Sequence, residues 1–118
     1  EINPQDALEL GIADGQWVRV SNPFGSCVLK AKVTQTVYPG LVMAQHGFWF
    51  PEEDGEEPHL YDVWRSNINL LMPHFYVGEL GFGAPYKCLI CKVEPIEESH
   101  DTDMQAIWNR YSQLATPE

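Results

Sequence analysis

Positive charge is scarce in this 118-residue sequence. Seven Lys and Arg stand against 17 Asp and Glu, a formal net charge of −10. A general nucleic-acid binder shows a basic face to the phosphate backbone, so that class is excluded. Cysteine is scarce too. Three cysteines do not make a disulfide framework, which points to an intracellular chain or to thiols paired with nothing. No apolar run is long enough to cross a bilayer, and no signal-peptide pattern is found, so membrane insertion is not expected. The short motifs of self-sufficient enzymes are missing as well. There is no G-x-S-x-G, no H-E-x-x-H and no Gly-rich loop running from strand into helix. Gly78, Gly81 and Gly83 have the wrong order for a dinucleotide fingerprint, and His46, His59, His74 and His100 lack metal-ligand spacing. The sequence therefore assigns no catalytic residue and no metal ligand.

What is present fits one compact domain. The apolar fraction of 44% argues against disorder throughout. The opening "EINPQDALEL" reads as the interior of a longer protein. The acids gather in "PEEDGEEPHLYD" (51–62) and "EPIEESHDTD" (94–103), which read as solvated loops. An anionic ligand would need local help from the few cations. Cys88 and Cys91 form C-x-x-C in "KCLICKVEP", half of a zinc or iron–sulfur pattern. The neighbours read as a strand, where positions i and i+3 face opposite sides, and no second pair follows. No metal is expected there.

Local signals predict the elements. "NPQDALELGI" predicts a short helix, with Pro4 early and Gly11 at its end. Asp14-Gly15 is a turn. Trp17, Val18 and Val20 belong to a strand that Asn22-Pro23-Phe24-Gly25 turns back. "SCVLKAKVTQTV" is the return strand, with Val28 an apolar exception on its polar side. "LVMAQ" reads as a buried strand, 51–65 as an acidic loop, "SNINLLMP" as a helical turn or tight loop, and "YKCLICKVEPI" as a final strand. "TDMQAIWNRYSQL" predicts an amphipathic helix: Thr102 and Gln105 fit a capping box, and Met104, Ile107, Trp108, Tyr111 and Leu114 share one face. Several short strands with few helices and no βαβ alternation predict a mainly β fold, a small barrel. The expected division is a barrel over 1–98 and a helical extension over 99–118.

Three polar clusters stand at the ends of apolar segments: Gln45-His46-Gly47, Asn67-Ile68-Asn69 and Tyr86-Lys87. A pocket for a flat polar heterocycle needs amides to read ring edges and a cation for phosphate or oxygen. Gly47 would let backbone approach a ligand closely. Each cluster also has a plain reading. His46 fits a satisfied core histidine, Asn67 and Asn69 fit turn caps, and Lys87 fits a surface lysine.

The ordered set Asn3-Pro4-Gln5-Asp6-Ala7, Leu10-Gly11-Ile12, Asp14-Gly15, Val18-Arg19-Val20, Gly25, Pro39-Gly40 and His46-Gly47-Phe48-Trp49 resembles the C-terminal cofactor-binding domain of the dimethyl-sulfoxide-reductase superfamily of molybdenum and tungsten enzymes. The likeness continues through "SNINLLMP" and "APYKCLICKVEPI", and its last part with the following helix looks most like formate dehydrogenases. It implies a double-psi β-barrel that helps clamp a molybdopterin guanine dinucleotide carrying molybdenum or tungsten. The metal ligand would come from another domain. Gln45, His46 and Gly47 would lie by the pterin, Asn69 would match the family's Asn-x-Leu-Thr asparagine, with Asn67 beside it in the cofactor site, and Tyr86 and Lys87 would match a late Tyr-Lys pair. Met72 stands where the family often has threonine, and Phe24 where a turn arginine is common. The implied partners are the remaining domains of the same catalytic subunit and an iron–sulfur electron-transfer subunit, with an iron–sulfur cluster elsewhere in the parent. Cytoplasm and periplasm of an anaerobic prokaryote both fit. Double-psi barrels also serve as non-catalytic protein- or substrate-binding modules, the alternative reading. A self-processing barrel enzyme would need a Gly-Ser nucleophile site, and Gly25-Ser26 is explained by its turn.

Overall fold

The computed structural model describes residues 1–51, 53–73 and 89–97. Over these residues it is a small β-rich domain with one three-stranded antiparallel sheet, in the order β2-β1-β3, and two short helices. The helix α1 spans Pro4–Leu10, β1 Trp17–Asn22, β2 Gly25–Lys30, α2 Val63–Ser66 and β3 Lys92–Pro95. Single 3-10 turns cover Leu60–Asp62 and Ile68–Leu71.

Helix α1 begins and ends where its sequence dictates. The Asn3 side chain accepts from Gln5 N at 2.9 Å, satisfying a backbone donor left over by the first turn. Pro4 fills the first helical position, where no N–H is needed. Gly11 closes the helix at φ 69°, a left-handed conformation that glycine adopts without strain. The same turn gathers distant chain. Asn3 Nδ2 donates to Val37 O at 2.7 Å, and Asp6 accepts from Gly40 N at 2.7 Å.

The sheet buries apolar side chains on both faces. Val18 and Val20 of β1 lie opposite Leu29 and Cys27 of β2, and Val20 lies opposite Val93 of β3. This face packs with Ile2, Ala7, Ile12 and Leu71 into the main core. On the other face Trp17, Val28 and Phe50 form a second cluster. Trp17 and Phe50 meet edge to face, with ring centroids 5.7 Å apart. Val28 is therefore no exception to the strand alternation. It belongs to a face with its own small core.

The hairpin, the Asp14-Gly15 turn and the helical turn within "SNINLLMP" agree with the sequence reading. Four elements differ. Residues 51–65, read as an acidic loop, include the 3-10 turn Leu60–Asp62 and most of helix α2. The return strand stops at Lys30: Ala31 N still donates in register to Gln16 O, but Ala31 O accepts from Gly15 N and Val33 N donates to the Asp14 carboxylate, which draws the chain off the ladder. "LVMAQ" is not a buried strand. Leu41, Val42 and Met43 are exposed, and Val42 makes only an isolated bridge to Ile2. The three-stranded sheet does not extend to this segment, whose backbone pairs instead with Glu1 and Ile2. The last strand is shorter than predicted. Cys91 precedes β3 and is exposed, so the opposite-face geometry invoked for the cysteine pair is not found at Cys91. Residues 74–88, Cys88 among them, and the predicted helix over 102–114 lie outside the described residues, as does the expected boundary at 98.

Candidate functional site

The candidate residues among those described come from two segments that meet at one buried hydroxyl. Ser66, at the end of α2, is 0% exposed. Its Oγ lies 3.1 Å from Phe48 O and 3.2 Å from Asp62 O. The second contact is the usual back-bond of a helical serine to the preceding turn. The first fastens the Gln45–Phe48 segment to the residue just before Asn67. A buried hydroxyl left without such partners would cost about 1–3 kcal/mol.

Gln45, His46 and Gly47 are exposed, and the backbone bends at His46 and Gly47. Gly47 has φ 71°, and a Cβ built there would meet nothing within 4 Å. Its glycine requirement is conformational, and the space above its backbone is open. Phe48 and Trp49 are each about half exposed, whereas Phe50 is 2% exposed. Of the three consecutive rings, one is core and two are presented outward.

Asn67 caps the following 3-10 turn. Its Oδ1 accepts from Asn69 N at 2.9 Å. The turn-cap reading thus holds for the Asn67 oxygen, while the Asn69 side chain is exposed. The turn itself is moored on the hairpin. Asn22 Nδ2 donates to Leu71 O at 2.8 Å, and Asn22 Oδ1 accepts from Phe24 N and Gly25 N at 2.9 and 3.1 Å. Leu70 O comes so close to Gly25 that a Cβ there would sit 2.2 Å from it. Asn22 and Ser66 were not singled out by the sequence reading, although both are positioning residues. Asn22 carried a turn signal, but its reach to a residue 49 positions away had no local trace. Tyr86 and Lys87 lie outside the described residues.

Phe50 N donates to Tyr61 O at 2.8 Å and Tyr61 N to Asp54 O at 2.7 Å, so the acidic loop closes on itself. Leu60, Tyr61 and Asp62 all have positive φ, between 47° and 56°. Such residues cost roughly 1–3 kcal/mol each and persist where surrounding contacts over-determine them. Arg65 pairs with Asp62 at 3.1 Å, which brings a cation within two residues of Asn67. Between Met43 and Phe50 the sequence has no Asp, Glu, Lys or Arg. The acids flank this segment rather than line it.

The donor set has the chemistry a flat polar heterocycle needs: carboxamides, an imidazole and an open glycine backbone beside two outward rings. A cleft of about 470 Å³ lies elsewhere, between α1, residues 40–42 and β3, and contains none of the candidate residues. Asp6, Glu9 and Glu94 line it with Lys92, a poor balance for an anion. No metal-holding group of His, Cys, Asp or Glu is present among the described residues.

Comparison with known proteins bears on the same segments. Biotin sulfoxide reductase of Cereibacter sphaeroides is 36% identical over 92 residues, 75% of this chain and 12% of that protein. Dimethyl sulfoxide/trimethylamine N-oxide reductase of Rhodobacter capsulatus is 32% identical over 93 residues, 79% of this chain and 11% of that protein. The probable oxidoreductase YoaE of Bacillus subtilis is 46% identical over 85 residues, 72% of this chain and 11% of that protein. The chain spans about a tenth of the length of these relatives. The family model described as the molydopterin dinucleotide binding domain matches residues 1–86. The chain belongs to the molydopterin dinucleotide binding domain family.

Proposed function

We propose that this chain is the part of a larger molybdopterin oxidoreductase subunit that closes over the dinucleotide cofactor, with a double-psi β-barrel as its complete architecture. The observation that carries the reading is the family match over residues 1–86, which takes in Gln45, His46, Gly47, Asn67, Asn69 and Tyr86. The donor chemistry supports it. In this reading Gln45, Asn67 Nδ2 and Asn69 read polar ring edges, and His46 donates or accepts at a ring oxygen or nitrogen. The open backbone at Gly47 admits the ligand, and Lys87 supplies a charge-assisted bond to an anionic group. The cofactor is the guanine form, with molybdenum or tungsten held by a ligand from another domain. When bound it supplies two-electron redox chemistry. This chain's residues bind it, orient it and exclude water.

The relatives named above are reductases of S-oxides and N-oxides, and one is a probable oxidoreductase. The narrower likeness to formate dehydrogenases rests on the end of the chain, and the family match reaches only to Tyr86. Substrate choice thus belongs to the other domains of the subunit. An iron–sulfur electron-transfer subunit completes the assembly.

The test compares two lysines in the full-length subunit. A net charge of −10 makes an unassisted anion costly here. A hydrogen bond to a charged group contributes about 1.5–3 kcal/mol, and each 1.4 kcal/mol is about tenfold. Lys87→Ala should therefore lower bound pterin and metal by about ten- to a hundredfold. Lys30 is exposed, with its Nζ 6.0 Å from the Trp17 ring centre, and Lys30→Ala should leave cofactor content unchanged. Equal occupancy in the two variants would remove Lys87 from the site and weaken the assignment of Tyr86.

A further inference from the structure

Glu1 is already part of a strand pair. Its α-amino nitrogen donates to Met43 O at 2.6 Å, and Met43 N donates to Glu1 O at 3.1 Å. Two reciprocal bonds of this kind mark a hydrogen-bonded residue pair in an antiparallel ladder. Ile2 follows in register opposite Val42. It turns its own groups the other way, with N donating to Lys32 O and O accepting from Thr34 N, each at 3.0 Å. This alternation is that of a β-strand, so the nitrogen of Glu1 stands where a peptide N–H would stand. Across from it the backbone runs on from Met43 without a bend until His46, and both Met43 and Gln45 are exposed.

We propose that the polypeptide immediately preceding Glu1 continues this antiparallel strand along Ala44 and Gln45, and so braces the Gln45-His46-Gly47 bend from its flank. The proposal rests on the reading of this chain as one domain of a longer subunit, as the 12% coverage of a relative indicates. The occupant is the chain's own upstream segment because Glu1 sets both its direction and its register. The residue before Glu1 falls opposite Ala44, and the second residue before Glu1 falls opposite Gln45. The first of these pairs is the non-hydrogen-bonded kind, with Cα atoms about 4.5 Å apart. The second is hydrogen-bonded and takes up the Gln45 N–H. Bracing of this kind would hold the polar bend ready before any ligand arrives.

The register makes the test sharp. In the full-length subunit, cysteines at Ala44 and at the residue immediately before Glu1 should form a disulfide on mild oxidation. A Cα separation of about 4.5 Å lies inside the range such a bond needs, roughly 4.4–6.8 Å. A cysteine three residues before Glu1, a diagonal neighbour about 7–8 Å away, should leave Ala44→Cys reduced. Hydrogen exchange on the unmodified subunit is the second measurement, free of folding effects from the cysteines. The Gln45 amide should exchange about tenfold more slowly, or slower still, than an unprotected amide. A Gln45 amide that exchanges freely overturns the pairing, and so does a cross-link at the offset position in place of the matched one. Intact mass separates the two levels. A native polypeptide beginning at Glu1 removes the longer-subunit reading along with the pairing. A long polypeptide with an unprotected Gln45 removes the pairing alone.

Discussion

The hairpin half and the 41–73 half of the molecule reach order by different means. In the first, α1, β1, β2 and β3 bury Val18, Val20, Cys27, Val93 and Ile2 in one core, and Asn3 and Gly11 cap α1. In the second, regular structure is limited to the four-residue helix α2 and two 3-10 turns. Leu41, Met43, Phe48 and Trp49 face outward, and three successive residues hold left-handed backbone. The first half is stabilised by its own packing. The second is held to the first by Phe50 against Trp17, by Leu71 in the main core and by the Asn22–Gly25 turn against Leu70 and Leu71, and it is tied internally by Ser66 under Phe48. A segment that keeps polar edges and rings exposed while fixing only its backbone is suited to meeting a large ligand. The two halves should therefore respond differently to the loss of each contact.

Phe50→Ala should have the largest effect. It removes a ring 2% exposed from the smaller core, where it touches Trp17 edge to face. Truncating a buried Phe costs about 3–5 kcal/mol. Thermal unfolding should show a fall large enough to compromise both halves. A loss under about 1 kcal/mol would mean that the second cluster contributes little.

Gly25→Ala comes next. The added methyl would stand 2.2 Å from a backbone oxygen, which no rotamer change relieves. Overpacking of this kind costs about 1–3 kcal/mol. The turn carrying Asn67 and Asn69 should shift as the hairpin is pushed away, so cofactor content should fall together with stability. Unchanged pterin content in a destabilised variant would uncouple the Asn67–Asn69 turn from the site.

Ser66→Ala should be milder and local. It frees Phe48 O from its partner at 3.1 Å, and a hydrogen bond of this kind contributes about 0.5–1.5 kcal/mol. Amide exchange should quicken around residues 45–49 while β1 and β2 stay protected. Equal loosening of the sheet would show that the two halves form one cooperative unit.

The contrast between the halves also explains what the sequence revealed. Asn3, Pro4 and Gly11, the Asp14-Gly15 turn and the Asn22–Gly25 turn each act on neighbours in the chain, so local patterns located α1 and the hairpin. Val28 misled because one strand serves two cores, and the second core depends on Phe50, 22 positions away. "LVMAQ" misled because an apolar run reads alike whether its own domain covers it or not. The polar clusters were visible as residue types. The bond that joins two of them, from Ser66 to Phe48, links positions 18 apart and leaves no local signature.

The smallest effect at neutral pH concerns Cys27, which lies in the first half alone. It is 1% exposed. Burial, and secondarily the charge of Cys91, push its thiol up from 9.0 to about 11. A raised value in the folded state means that the folded chain keeps its proton where the unfolded chain has lost it. The contribution is fully present below pH 9 and is lost as pH rises through about 11. Stability should be flat in pH near neutrality as far as this group is concerned, and should fall across that alkaline window. Cys27→Ala should flatten the fall at the cost of a small cavity. The same thiol reports on the two halves. Alkylation mapped to Cys27 by peptide mass should be slow in the native chain and in Ser66→Ala, whose damage stays beyond the hairpin. It should be fast in Phe50→Ala, where β2 loses its cover at Val28. Rapid alkylation in Ser66→Ala would show that the hairpin depends on the 41–73 segment for its order, and the division between the halves would fail.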